Sequence, residues 1–579
     1  MSEATAREFS VIGKSVPKID ARDKVTGRAK YTGDLKVTGM LIGKILRSPH
    51  AHARILNIDT SKAEQLPGVV AVITAKDVPS TFYGISPARY DETILAIEKV
   101  LQVGDKVAAV AAVDEETAVK ALSLIDVEYE VLPAVLDPLR AMDEDQPQIH
   151  PQYERNISVE IHQDFGDVEM AFQQSHLVRT DRFQGNRATH VPMEPHAAIS
   201  KWENGKLTIW SSTQSPHYFQ YHIARVFGLK MGDVSVIKPT VGGGFGGKLE
   251  PSAAEYVSAA LAMKTGRPVK IVFDRKEVFF HNRGRHAQHI ELTTGVTKEG
   301  KILGVHAKFI IDVGSYTSLG IASAYYAGAM LPLIYEFDHF KFDCFRVHTN
   351  LPSCAAQRGH GAPQPRFAFE SQLDMIAKEL GMDPIEIRKV NARRPNTMTL
   401  NDLKVNSCEF MACLEKAREI SDWVGKKGKL PPGQGIGIGC GGFITGAGYP
   451  IYRTRLPHAA AVVKVSEQGD IATLYIGAVD IGQGSDTILA QMAAEAIGIN
   501  YEDMRIVSAD TETTPHDFGA YASRQTLMSG HAVKQAGEEV RRQIIELAAE
   551  LLEANVADLD IARRVIFVKG SPEKILPFE

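Results

Sequence analysis

What this sequence lacks narrows its function before any motif is read. No uninterrupted apolar run approaches the roughly 18 residues that cross a bilayer, so no membrane span is expected. The opening residues, MSEATAREFSVIGKSVPKID, have no cationic start followed by an apolar core, so no secretory signal is expected and a cytoplasmic location is. Cysteine is sparse: five residues, at 344, 354, 408, 413 and 440, none in a Cys-x-x-Cys pair. A disulfide framework and a self-contained zinc or iron–sulfur site are therefore not expected. Histidines 190, 196, 217 and 360 are dispersed, and no His-x-x-x-His pattern supports zinc. Charge of one sign is also missing. With 65 basic and 70 acidic residues the net charge is −5, which does not indicate a nucleic-acid or anionic-membrane surface. Any metal is expected to arrive inside an organic cofactor.

What is present is a chain of 579 residues, too long for one ordinary core, with the 44% hydrophobic content of a globular protein. Its densest signal is Val241-Gly242-Gly243-Gly244-Phe245-Gly246-Gly247-Lys248, between an apolar run at Val234 to Ile237 and a helical pattern starting near Glu250. Glycine permits positive φ and close approach of a ligand to the main chain. A loop of this type feeding a helix favours an anion through free N–H groups and the helix dipole. Two familiar patterns are only partly met. A P-loop requires Ser or Thr where Leu249 stands, and the acid of a dinucleotide fold is met no earlier than Asp274.

Along the chain, residues 1 to about 20 read as an extension that wraps a partner. Buried strands are expected at Val69–Thr74 and Val107–Val113 and a helix over Glu115–Leu124, forming a compact α+β module. Residues 131–151, acidic and proline-containing, read as a linker. A second unit runs from about Phe165 to Arg394, with a strand at Lys206–Trp210, helices over Pro251–Lys264 and Phe367–Leu380, and a strand at Val269–Asp274. In the third unit, a strand at Ile471–Ile476 leads through Gly482-Gln483-Gly484-Ser485-Asp486 into a helix over Thr487–Ile497, with Asp486 as a candidate cap. Polar Ser523 to Thr526 then precedes an amphipathic stretch to Leu552. Three such loops, each opening a helix, suggest one extended anion gripped from several sides.

Further segments are Arg47-Ser48-Pro49-His50-Ala51, Met193-Glu194-Pro195, Thr213-Gln214-Ser215-Pro216-His217, Cys354-Ala355-Ala356-Gln357-Arg358-Gly359 and Ile481-Gly482-Gln483-Gly484. With the glycine loop, and in this order over nearly the whole chain, they resemble the molybdenum-cofactor subunit of the xanthine dehydrogenase/aldehyde oxidase family. The resemblance implies an α+β, multi-domain molybdenum hydroxylase large-subunit fold. Residues 1–20 are an N-terminal extension, 21–135 an α/β hammerhead domain, 136–396 a first molybdopterin-binding domain and 397–579 a second, incomplete one.

The resemblance also implies roles. Gln214 is expected to hydrogen-bond an oxo ligand of molybdenum, and Gly244, Phe245 and Gly246 to lie beside the metal, with Gly246 offering a backbone donor. Arg358 would pin the pterin or its pyrophosphate; Gly482, Gln483 and Gly484 would touch the pterin; Ser523, Arg524, Gln525 and Thr526 would touch phosphate or nucleotide. Molybdenum is held by the pterin dithiolene, so no side chain is a direct metal ligand. The cofactor is expected in its cytosine dinucleotide form. Iron–sulfur clusters and FAD belong to partner subunits, since the cysteine count leaves this chain none. Cys354 occupies the loop that holds copper in the carbon monoxide dehydrogenase branch, but Ala355-Ala356-Gln357-Arg358 does not reproduce that branch, so Cys354 reads as a small loop residue.

Purine-oxidising members carry charges where this chain has Leu249 and Tyr326, which disfavours a purine. Tyr325-Tyr326-Ala327-Gly328-Ala329 and Gly428-Lys429-Leu430-Pro431 are similar to 4-hydroxybenzoyl-CoA reductase, so a hydroxybenzoyl-CoA-like thioester is the expected substrate and Tyr326 a catalytic candidate. An aldehyde or N-heterocycle dehydrogenase, and a non-catalytic scaffold, are the alternatives. The family chain continues into a Gly-rich segment carrying a glutamate base. No segment after Thr526 has that context, so either a second molybdopterin polypeptide is expected to supply it or the chain is truncated or degenerate, the first being favoured.

Overall fold

A computed structural model describes residues 9–84, 90–281, 283–446 and 459–579. Its largest sheet has seven strands in the order Val234–Ile237, Lys206–Ser211, Ala197–Glu203, Val269–Val272, Leu41–Arg47, Lys106–Ala112, Val69–Thr74. Three of these come from the module before residue 135 and four from the unit after it. The join is a short parallel pairing, Leu41 with Val269 and Ile42 with Lys270. The early module is therefore not a closed unit. Its all-buried strand Lys106–Ala112 can be apolar from Val107 onward because neighbouring elements cover both faces, while Lys106 is paired with the buried Glu92. Helix Ala253–Thr265 lies on this sheet and is buried over most of its circumference, which alanine and small side chains permit.

A five-stranded sheet follows, ordered Ile157–Phe165, His339–His348, Ile302–Gly314, Gln288–Val296, Leu177–Gly185. Helix Pro363–Glu379 covers it, burying Phe369, Leu373 and Ile376 at helical spacing. The expected linker is packed rather than free. Val135 and Ile149 are buried in one cluster with Val347, and Val135 N donates to Asn350 Oδ1 at 2.9 Å.

In the third unit, strands Ala461–Val465, Ala472–Ile476 and Met504–Ser508 pack against helices Ser485–Ile497 and Gly530–Leu552. A last three-stranded sheet is formed by Leu559–Ala562, Val565–Val568 and Ser571–Pro577. Residues 9–20 correct the expectation that the extension wraps a partner: they lie on this chain's own third unit. Ser10 Oγ, Val11 N and Ile12 N all donate to Glu495 Oε2, and Tyr501 Oη donates to Pro17 O. Among the described residues no helix is long and apolar enough to cross a membrane.

Candidate functional site

The glycine loop is where four other chain segments meet directly and a fifth, around residue 520, joins through Gln214. Gly242 N donates to Glu194 Oε2 at 2.8 Å, Gly243 N to Ile481 O at 3.1 Å, and Arg358 N to Phe245 O at 2.9 Å. Gln214 is the hub. Its Oε1 accepts from Gly246 N at 2.9 Å and Lys248 N at 3.2 Å, while its Nε2 donates to Ala520 O at 2.7 Å. Ala520 N returns a bond to Gln214 O at 2.8 Å. The loops around 194, 214, 357, 481 and 520 are thus tied to one glycine turn. Side chains on that turn would prevent the closure: a Cβ at Gly244 would sit 2.5 Å from Gln214 Oε1, and one at Gly246 (φ 107°) would strike the Ala356 carbonyl.

Helix geometry departs from expectation in one place. The glycine loop does not present the N-terminus of helix Ala253–Thr265 to a ligand. Ser252 and Glu255 close that end as a capping box, with Ser252 N and Oγ both 2.7 Å from Glu255 Oε2. Lys248 is not a phosphate-reaching lysine either, since its ammonium is buried against Glu194 Oε2 at 2.7 Å. Burial lowers the Lys248 pKa, and Glu194 opposes that shift.

The Gly482–Gly484 turn opens helix Ser485–Ile497 directly. Asp486 does not cap it. Asp480 does the corresponding work, its carboxylate accepting from Gly482 N at 2.7 Å and Asp486 N at 3.2 Å. Gln483 folds back on its own loop, Nε2 donating to Val479 O and Oε1 accepting from Ile481 N. Of the 523–526 set, Ser523 (φ 53°) and Thr526 are exposed, and Gln525 opens the one-turn π segment that leads into Gly530–Leu552. Arg524 is fully buried, Nη1 lying 2.5 Å from Asp517 Oδ1 and 2.8 Å from Gly519 O. Sequence offered no sign of Asp517, seven residues upstream, as its counter-ion.

Loop 354–361 carries an apolar cluster on either side. Ala355 and Ala356 pack with Leu249, Leu319 and Tyr521. Tyr326 packs with Phe443 and Ala362, its ring 5.6 Å from His360 and 6.0 Å from Phe443. Burial raises the Tyr326 pKa and lowers that of His360 to about 3, so both are neutral at pH 7. Cys354 is likewise a buried thiol, pushed up to about 11.

Three features fit a large polar cofactor. Arg358 is exposed and forms no ion pair with any described residue, the buried Gln525 Nε2 has no hydrogen-bond partner, and the glycine turn leaves main chain open beside Phe245, which is 44% exposed. Comparison with known proteins agrees. The Molybdopterin cofactor-binding domain matches residues 149–392, a second domain of that description matches 416–579, and the aldehyde oxidase and xanthine dehydrogenase a/b hammerhead domain matches 26–133. Fold and site define a molybdopterin-binding subunit.

The putative xanthine dehydrogenase molybdenum-binding subunit XdhA of Escherichia coli (strain K12) is 34% identical over 96% of this chain and 76% of its own length. The nicotinate dehydrogenase large molybdopterin subunit of Eubacterium barkeri is 37% identical over 71% of this chain and 97% of its own. The crystal structure of quinoline 2-oxidoreductase from Pseudomonas putida 86 superimposes with a TM-score of 0.93 at 29% identity, covering 99% of this chain and 75% of that one. The chain belongs to the xanthine dehydrogenase/aldehyde oxidase family of molybdenum-binding subunits.

Proposed function

We propose that this chain is the molybdenum-binding subunit of a multi-subunit, cytoplasmic hydroxylase acting on an aromatic N-heterocycle, with aldehydes as the next substrate class. The observation that carries this is the apolar wall: Leu249, Leu319 and Tyr521 on one side of loop 354–361, Tyr326 and Phe443 on the other. Such a wall takes a flat aromatic ring and leaves the polar edges of a purine unpaired. Relatives named for nicotinate and quinoline support a heterocycle.

Molybdopterin, in its cytosine dinucleotide form, would be held by the main chain of Gly244 to Gly246 and Gly482 to Gly484, by Gln483 and Arg358, and by Ser523, Gln525 and Thr526. When bound it supplies exchange of an oxygen atom and two electrons. Gln214 fixes the loops and keeps a second amide N–H for a ligand oxygen. The apolar clusters exclude water from the ring's side. The acids beside the glycine turn are all engaged: Glu194 with Lys248, Glu250 with Ser318 and Leu319, Asp517 with Arg524. None of these acids is assigned as the proton-accepting glutamate, and electrons would leave through iron–sulfur and FAD subunits.

A hydroxybenzoyl-CoA-like thioester is the second substrate class, favoured by the phenol of Tyr326 facing Phe443 and His360. The test uses the purified complex and a dye acceptor, with quinoline, an aromatic aldehyde and, in the reductive direction, 4-hydroxybenzoyl-CoA. Heterocycle oxidation is expected. Turnover of the thioester alone would replace this function with the reductase, and a complex lacking both molybdenum and pterin would leave a scaffold. Tyr326→Phe should lower kcat severalfold with molybdenum content unchanged; normal kcat would remove Tyr326 from the reaction.

A further inference from the structure

Outside the molybdopterin loops, one cluster has the chemistry of a second metal centre. Asp91, His150 and His348 are all buried, and each offers a ligand atom within 4.8 Å of those of the other two. They come from three separate parts of the chain: Asp91 from the early module, His150 from the packed segment expected to be a linker, and His348 from the end of strand His339–His348. We propose that they form a site for a divalent transition-metal ion, with Zn2+ as the ion best suited to two imidazoles and a carboxylate.

The outer contacts carry the proposal further than the donor set does. Metal-binding histidines characteristically donate the other ring N–H to a carbonyl or carboxylate, which fixes the tautomer and aims the ligand nitrogen. Here His150 Nε2 lies 2.5 Å from Ser315 O, and His348 Nδ1 lies 3.0 Å from Gly314 O. A carbonyl can only accept, so those nitrogens carry the protons, which leaves Nδ1 of His150 and Nε2 of His348 as the candidate ligand nitrogens. The two carbonyls are adjacent, so one turn of main chain orients both imidazoles. Tyr153 stacks on His348 at 4.8 Å and meets His150 edge-on at 5.7 Å, restricting both rings.

Asp91 is held in the same manner. Thr317 N, two residues beyond Ser315, donates to its Oδ2 at 2.7 Å, while its buried Oδ1 has no hydrogen-bond partner. A buried carboxylate oxygen without a donor is costly, and a cation relieves that cost. Ligand bonds of 2.0–2.1 Å place neighbouring ligand atoms about 3.3 Å apart, so binding would draw the widest pair in by about 1.5 Å. The ion would pin the early module to the five-stranded sheet. Three protein ligands leave the fourth position of a tetrahedral ion to water.

The test uses the purified complex after dialysis against a chelator. Zn2+ should rebind at one equivalent per chain more in the wild type than in Asp91→Asn or His348→Gln, and should raise the wild-type Tm only. Co2+ should give the visible bands of a nitrogen- and oxygen-ligated, low-coordinate ion, absent from either variant. If the variants do not fold, the wild type decides alone, through a saturable Co2+ spectrum and a Zn2+-dependent Tm. Wild type that takes up no more Zn2+ than the variants, or that shows only hexaaqua Co2+, would overturn the site.

Discussion

At the residue scale, Gln214 shows how one side chain can hold a site together without charge. Its amide satisfies two main-chain N–H groups of the glycine turn and one carbonyl of the 520 loop, all from a position 2% exposed. Truncation leaves those groups unpaired in the interior, at about 1–3 kcal/mol for each that water cannot reach. Gln214→Ala should therefore lower Tm and cut molybdenum and pterin content together. Gln214→Glu retains an acceptor for Gly246 and Lys248 but loses the donor to Ala520 O, so it should fall between the two. Full molybdenum occupancy in the alanine variant would remove Gln214 from the loop assembly. Gln214, Phe245 and Gly246 could be singled out because their motifs are contiguous, each in its own segment. The pairing of Arg524 with Asp517 could not, because it depends on a fold-back that no local pattern records. Lys248 has the same lesson in reverse, because its partner Glu194 lies 54 residues upstream in a segment of no obvious charge chemistry.

At the element scale, strands and helices were legible where their periodicity was strong. The Val69–Thr74 strand has the expected bounds, helix Ala253–Thr265 differs from expectation by two residues at its start and one at its end, and helix Ser485–Ile497 by two at its start alone. Docking partners were not legible. Residues 9–20 contain no periodic pattern, and their place is set by three donors converging on Glu495 Oε2 and by Lys18 Nζ, which donates to Gly482 O at 3.0 Å. The second contact matters for the site, because it lays the extension over the turn expected to touch the pterin. Glu495→Ala should detach the segment at a cost of about 1.5–3 kcal/mol, the range for hydrogen bonds to a charged acceptor. Limited proteolysis should then cut within residues 9–20 at least tenfold faster than in the wild type. An unchanged cleavage rate would show that the remaining contacts suffice.

At the scale of the whole molecule, the sheet that joins residues 41–47 to residues 269–272 explains why the chain cannot be divided cleanly by composition. Strand pairing over more than 200 residues leaves no local trace, and the packed 131–151 segment looks like a linker for the same reason. Long-range burial has a thermodynamic signature, however. His196, His217 and His222 are buried and His360 half-buried, and desolvation holds them at about 3, about 4, about 3 and about 3. A histidine whose folded pKa lies below its unfolded value of about 6.5 binds protons preferentially in the unfolded state, so its contribution is intact above pH 6.5 and is lost as pH falls. Buried carboxyls with raised pKa values, among them Asp91 and Glu250, act in the opposite direction. The total curve mixes both, and a single-site difference separates them. His222 is suited to this because it packs on Tyr218 at a ring distance of 4.1 Å, on helix Pro216–Phe227. Between pH 7 and pH 5 the wild type should lose about 2 kcal/mol more stability than His222→Leu, since each pH unit below 6.5 costs about 1.4 kcal/mol per such histidine. Denaturant unfolding of both proteins at the two pH values measures this directly, and parallel curves would mean that His222 protonates as readily in the folded protein as in the unfolded chain.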